Sequence, residues 1–142
     1  PSSAASDVYK RQVYDRVSAE LALAVDAAMA AAGASLRART RAGMAAVLEF
    51  SSTDPRRGRV LFTDARANPV LAARRAATQD LLREAVLSEG WRLHPGSDPV
   101  AAQVAAALYT GAMAELAQQW LAGRLGDDLD AVVDHALALV LR

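Results

Sequence analysis

The sequence contains no cysteine, a single lysine and few aromatic residues. The absence of cysteine excludes a disulfide framework, a thiolate metal site and a cysteine nucleophile. Aromatic residues make up 5% of the 142 residues whereas apolar residues make up 53%, and alanine accounts for much of the difference. Alanine is the strongest helix former and is poor in strands, so the composition favours a single all-α domain.

The chain also lacks an excess of charge, because 16 basic and 16 acidic side chains cancel. A neutral chain does not have the electrostatic footprint of a free-standing nucleic-acid binder. We recognise no signal peptide and no apolar run approaching about 20 residues, the length that a membrane-spanning helix needs. The sequence therefore predicts a cytoplasmic protein with no membrane partner.

Residues that would carry catalysis or bind a metal are scarce. His94 and His135 are the only histidines, they lie far apart in the sequence, and neither belongs to a Glu-x-x-His pair. We find no set of nucleophile, base and acid, no phosphate-binding loop and no dinucleotide fingerprint. We therefore expect a protein that is not an enzyme and that uses no metal and no cofactor.

The first residues differ from the rest in composition. Ser2–Gln12 reads SSAASDVYKRQ and contains the only lysine, Lys10. This stretch resembles an in-frame translation of a transposase-type sequencing adapter, so we predict that residues 1–12 are a cloning or assembly artefact and that the domain comprises residues 13–142. The alternative is a natural polar lead-in to a helix. Because the chain opens with Pro1, we expect the true N-terminus to lie upstream.

Apolar spacing and helix-ending residues predict six helices. We expect them at about residues 13–32, 35–52, 55–62, 69–89, 99–122 and 127–142. Three of them begin at an Asp-Pro or Asn-Pro pair, in which the first residue caps the helix and proline occupies its first position. Gly33, Gly90 and Gly123 are expected to end three of them.

The stretch Pro99–Ala114 contains no charged residue. A helix that is apolar on every side must be covered on every side, and this run is too short and too polar to span a bilayer. One stripe of the helix is bulky and suits the core of its own subunit: Tyr109, Met113, Leu116 and Trp120. The other stripe is slim and allows another helix to approach closely: Ala101, Ala105, Leu108 and Ala112.

The last predicted helix has an apolar face that matches the slim stripe. It comprises Leu129, Val133, Ala136, Leu137 and Val140. Two such helices from each chain would form a four-helix bundle across a twofold axis. We therefore predict a homodimer whose interface contains Ala101, Ala105, Leu108, Ala112, Val133, Leu137 and Val140. The alternative is that the chain's own helices cover both faces.

The order of helices and several segments resemble the C-terminal domain of TetR-type transcriptional repressors. The segments are VYDRVSAEL, ANPVLAARRAATQDLL and YTGAMAELAQQWLAGRL, and the resemblance covers Val13 to Arg142. In that family a helix-turn-helix head precedes the segment that corresponds to Val13–Ala32. The present chain lacks this head, so we expect contact with DNA only through a missing N-terminal part.

The resemblance implies a function in bacterial transcription regulation. Such a domain dimerises through its last two helices and holds a small, mostly apolar effector among the others. Effector binding would shift the helix at Val13–Ala32, change the spacing of the two DNA-reading heads and release the DNA. A purely structural helical dimerisation module without a ligand is the alternative function.

A ligand cavity of this kind needs polarisable and aliphatic side chains with a few hydroxyl groups. On that basis we expect seven residues to bind the ligand: Met44, Leu48, Phe62, Thr78, Leu82, Tyr109 and Met113. The alternative for each of them is an ordinary place in the core.

The neutral charge leads to a prediction about DNA. We expect this chain to show no specific binding to duplex DNA at physiological salt, because contacts from scattered arginines are weak and sensitive to salt. An electrophoretic mobility shift assay at nanomolar protein tests this, and a shift that survives moderate salt would contradict it.

Overall fold

Helices account for nearly all of residues 2–141, which are the residues that the computed structural model describes, and no strand occurs among them. The helices are α1 (Ser2–Ala31), α2 (Leu36–Thr53), α3 (Pro55–Arg59), α4 (Ala65–Ala67), α5 (Ala72–Leu93), α6 (Pro99–Leu121) and α7 (Leu129–Val140). A π-helical turn, Val60–Asp64, joins α3 to α4, and a 3₁₀ turn, Pro69–Leu71, precedes α5. Since α3, the π-helical turn and α4 form one bent segment, six helical segments are present and the all-α prediction is confirmed.

Short polar side chains begin five of the helical elements. Ser35, Asp54, Asn68, Asp98 and Asp128 accept hydrogen bonds from the backbone N–H groups of Ala38, Arg56, Val70, Ala101 and Ala131, respectively. Each bond satisfies a backbone donor that has no partner inside its helix. The predicted Asp-Pro and Asn-Pro starts are therefore confirmed.

Three helix boundaries differ from the prediction. The segment that begins at Pro55 was predicted to end at Phe62 but runs to Ala67. Gly90 does not end α5, which continues to Leu93. A single glycine only weakens a helix, whereas His94 precedes Pro95 and is disfavoured from helical geometry. At the other end of the chain α1 starts at Ser2 instead of near Val13. The predicted end of the last helix, Arg142, lies outside the described residues.

Two hydrophobic clusters form the core, and α2 contributes to both. The first joins α1 to the bent segment and contains Tyr14, Val17, Phe50, Leu61, Ala65 and Leu71. The second joins α2 to α6 and α7 and contains Met44, Leu48, Met113, Ala117, Val133 and Leu137. Phe62, in the π-helical turn, packs against both clusters. Helix α2 therefore lies between α1 on one side and α6 and α7 on the other.

Helix α5 is attached differently, because none of its side chains is fully buried. Near its C-terminal end Arg39 of α2 donates to Glu89 at 2.5 Å and to the carbonyl oxygens of Met29 and Gly33 at 3.1 and 3.3 Å. Hydrogen bonds from Arg92 and Arg39 lower the pKa of Glu89, which keeps this pair ionised near neutral pH. Its N-terminal turns are held by an ion pair between Arg74 and Asp15.

The segment that we predict to be an artefact extends α1 outward. Residues 3–12 are mostly exposed, and the first buried side chain of α1 is Tyr14. The origin of this segment stays a prediction.

Deleting residues 1–12 should therefore have little effect on the fold. The deletion removes none of the side chains that form the two clusters, so we expect the free energy of unfolding to change by less than about 1 kcal/mol. Thermal and urea denaturation followed by circular dichroism measure this change. A larger loss would show that the segment stabilises the domain.

Candidate functional site

A groove of about 380 Å³ runs between α6 and α7, with α2 at its base. Its lining consists of Met44, Tyr109, Ala112, Met113, Leu116, Leu125, Val132, His135, Ala136, Leu139 and Val140. The lining residues of α6 follow a spacing of three and four and so lie on one side of that helix, as do those of α7. Met44 is fully buried at the base, whereas Leu139 on the rim is 68% exposed. The groove is therefore open to solvent on one side.

Apolar side chains dominate this lining, and Tyr109 and His135 supply its polar groups. Burial raises the pKa of Tyr109 to about 12. Since its phenol stays protonated at neutral pH, it can donate a hydrogen bond. His135 is exposed and lies beside Ala136 on α7. The groove can thus bind an apolar molecule and offer it a hydrogen-bond donor.

The predicted ligand-binding residues lie in more than one place. Met44, Tyr109 and Met113 line the groove. Leu48 is fully buried in the cluster beneath it, and Phe62 packs against that cluster. Thr78 and Leu82 lie on α5 and line neither this groove nor the second cavity described below, and Leu82 is 40% exposed.

The predicted interface residues of α6 are exposed. Ala101, Ala105, Leu108 and Ala112 all reach solvent, and Val104 lies among them. We call residues 101, 104, 105 and 108 the outer stripe of α6, because their spacing places them on one side of the helix, next to the rim of the groove at Ala112. The alternative, in which the chain's own helices cover this face, does not agree with the structure.

Two of the predicted interface residues of α7 require a correction. Val133 is 0% exposed and Leu137 is 2% exposed, since both pack against α2 in the core of their own chain. The apolar residues on the outward side of α7 are instead Ala138, Leu139 and Val140, of which only Val140 was predicted, and Asp130, Asp134 and His135 are exposed as well. Helix α7 is apolar around most of its circumference, so the sequence did not show which side faces inward.

A second cavity, of about 240 Å³, lies between α1, α2 and α3. It is lined by Ala24, Ala28, Ala46, Glu49, Phe50, Thr53 and Arg57. The guanidinium group of Arg57 lies 4.1 Å from the centre of the Phe50 ring and 3.5 Å from a carboxylate oxygen of Glu20. With Arg57 already engaged, we regard the larger and more apolar groove as the candidate site.

Helix α6 has the predicted length, but its hydropathy corrects the statement that no stretch of the chain is long and apolar enough to span a membrane. The helix has 23 residues, and its most apolar window of 18 residues has a mean hydropathy of 1.3. By length and composition it is able to cross a membrane, although the core helix of a soluble protein meets the same criteria. Only 28% of that window is buried. Much of α6 is therefore apolar surface that the described part of the chain leaves uncovered.

Within residues 2–141 no group of three or more histidine, aspartate or glutamate side chains is placed to hold a metal ion. No protein-family model, curated protein or solved structure matches the chain. The candidate site is thus defined by its geometry alone, and it lies between the last two helices instead of among the others, where the resemblance would place an effector.

Leu137 is buried and Leu139 is exposed, so the same substitution at these two positions tests how α7 is oriented. We expect Leu137→Ala to lower the free energy of unfolding by about 2–4 kcal/mol, because the change leaves a cavity in the core. Leu139→Ala on the same helix should cost less than about 0.5 kcal/mol at protein concentrations low enough to favour single chains. Urea denaturation of both variants measures the difference, and equal losses would mean that α7 is rotated from the orientation described.

Proposed function

We propose that this chain is the effector-binding and dimerisation domain of a bacterial TetR-type transcriptional repressor. It acts as a homodimer in the cytoplasm and binds a small apolar effector. DNA is contacted only by an N-terminal helix-turn-helix head outside this chain, and effector binding releases the DNA in the full-length protein. The sequence segments that resemble this family support the assignment, together with the surface of α6 and α7.

The observation that carries the proposal is an exposed, uncharged apolar face. Leu108 is 69% exposed and Val104 is 52% exposed on α6, while Leu139 is 68% exposed on α7. No charged residue lies between Pro99 and Ala114. Contiguous apolar surface on a soluble protein indicates an interaction site. The partner must offer an apolar, uncharged surface of its own.

A second copy of the chain meets this requirement. The outer stripe and the groove lie side by side on one face, so a twofold axis that passes between them would bring the stripe of each copy towards the groove of the other. Alanine at positions 101, 105 and 112 allows the two backbones to approach closely. The whole chain is neutral, so no net repulsion opposes self-association.

The groove favours an effector-binding domain over a purely structural dimerisation module. It has a volume of about 380 Å³ and lies beside Tyr109, with one side open to solvent. Its volume falls in the range of small-molecule sites, which is about 300–1,000 Å³. The structural module remains the second candidate, favoured by the extensive apolar face alone.

The dimer is tested by placing charge on the face. We expect Ala105→Arg and Ala112→Glu to give monomers or aggregates, because a buried charge without a partner is strongly unfavourable. The wild-type interface should be apolar and should bury more than about 2,000 Å² in total. Sedimentation velocity of the purified proteins measures the oligomeric state.

Ala77→Glu provides the control, since Ala77 is exposed on α5 and belongs neither to the outer stripe nor to the groove lining. This variant should sediment like the wild type. If Ala112→Glu remains a stable dimer with unchanged melting, the interface lies on other helices. If the wild type is monomeric and co-floats with lipid vesicles in a density gradient, the apolar face of α6 binds a membrane instead of a second copy.

A further inference from the structure

The groove of a single copy is incomplete as a ligand site. We propose that two copies of the chain complete it together: a neutral apolar molecule lies on Met44, Tyr109 and Met113 of one copy and is covered by the outer stripe of α6 from the second copy. This inference rests on the proposed homodimer. It places the effector at the interface between the subunits instead of inside one of them.

The first argument concerns burial of the ligand. Small-molecule sites bury about 70–90% of the ligand surface. The groove has walls on α6 and α7 and a base at Met44, but its rim residues Leu125, Leu139 and Val140 are exposed. A molecule that fills the groove would leave one side in water. A further apolar surface is needed to cover that side.

The second argument concerns what supplies the cover. The outer stripe lies on the same face as the groove, and its side chains at Val104 and Leu108 project into solvent. A twofold rotation about an axis between the stripe and the groove turns this stripe towards the groove of the other copy and produces two equivalent sites. Leucine and valine side chains can close an apolar site without leaving a polar group unsatisfied. The same contact therefore forms the dimer and closes the site.

The third argument concerns the chemistry of the ligand. The lining contains no aspartate, glutamate, lysine or arginine, and its polar groups are those of Tyr109 and His135. A cationic head group would therefore lose its hydration with no carboxylate to pair with, and most of the lining is apolar. The Tyr109 hydroxyl can donate to one acceptor. The expected ligand class is a neutral apolar molecule that carries a carbonyl or ether oxygen.

A shared site couples ligand binding to dimerisation. A ligand that binds the dimer more tightly than the single chain must stabilise the dimer to the same extent. A ligand that binds a pocket within one copy would leave the dimerisation constant unchanged. A ligand that competes with the partner helix for the groove would weaken dimerisation. The direction of the coupling therefore distinguishes the three arrangements.

The test uses Nile red, a neutral apolar dye with a carbonyl oxygen, as the probe. Its fluorescence is titrated at protein concentrations that span the monomer–dimer equilibrium, and sedimentation equilibrium is measured with and without the dye. We expect saturable binding by the dimer, a dissociation constant at least about tenfold higher for the monomeric Ala105→Arg variant, and tighter dimerisation when the dye is present.

Matched variants locate the dye in the groove. Ala136→Leu adds volume to the lining, whereas Ala138→Leu adds the same volume to an exposed position that does not line the groove. We expect the first to weaken dye binding about tenfold and the second to leave it unchanged, both as dimers. Tyr109→Phe removes only the hydrogen-bond donor and should weaken dye binding about three- to tenfold. It tests the groove independently if Ala136→Leu does not fold.

Each other outcome overturns the shared site. Equal dye affinity for wild type and Ala105→Arg would place the ligand within one copy, and dye that dissociates the dimer would show that ligand and partner helix compete. Absence of saturable binding by the dimer, or equal effects of Ala136→Leu and Ala138→Leu, would remove the groove as the site. A monomeric wild type would instead contradict the proposed dimer itself.

Discussion

The packing of α2 against α6 and α7 is the contact on which the rest of the structure depends. Met44 and Leu48 are both fully buried, and they meet Met113 from α6 and Val133 from α7. The chain has few aromatic residues, so a small number of long aliphatic side chains must fill most of the second cluster. These buried contacts fix the orientation of α6 and α7, and the groove is the space that remains between these two helices above Met44.

That arrangement explains why so much apolar surface is left uncovered. An alanine-rich helix is slim, and α6 uses only one side of its circumference for the core. Its neighbours in the chain occupy other sides of the helix, since α2 packs on its inner side and α5 lies alongside it. The outer stripe therefore has no partner within residues 2–141. The proposed second copy would account for the apolar character of the stripe.

The elements that are determined locally could be predicted from the sequence. Asp54, Asn68 and Asp98 begin helical elements because a side chain and the following proline suffice to do so. The bulky stripe of α6 also faces its own core as predicted, with Met113 buried and Trp120 packed against the second cluster. Orientation was harder where both sides of a helix are apolar. Residues 137 and 139 of α7 are both leucine, so the sequence alone does not distinguish them. Leu137 is buried because it contacts α2, which is distant in the sequence.

The position of Phe62 connects the groove to the opposite side of the molecule. The π-helical turn inserts an additional residue into the bent segment, and such turns often occur at functional positions. Here Leu61 is buried against α1 while Phe62 touches both clusters. A ligand that displaced Tyr109 or Met113 would press on the cluster that Phe62 contacts, and Phe62 in turn contacts the cluster that holds Tyr14 and Val17. In the proposed repressor, α1 is the helix that would lead to the DNA-reading head. The same few side chains that build the core would thus carry the response from the groove to α1.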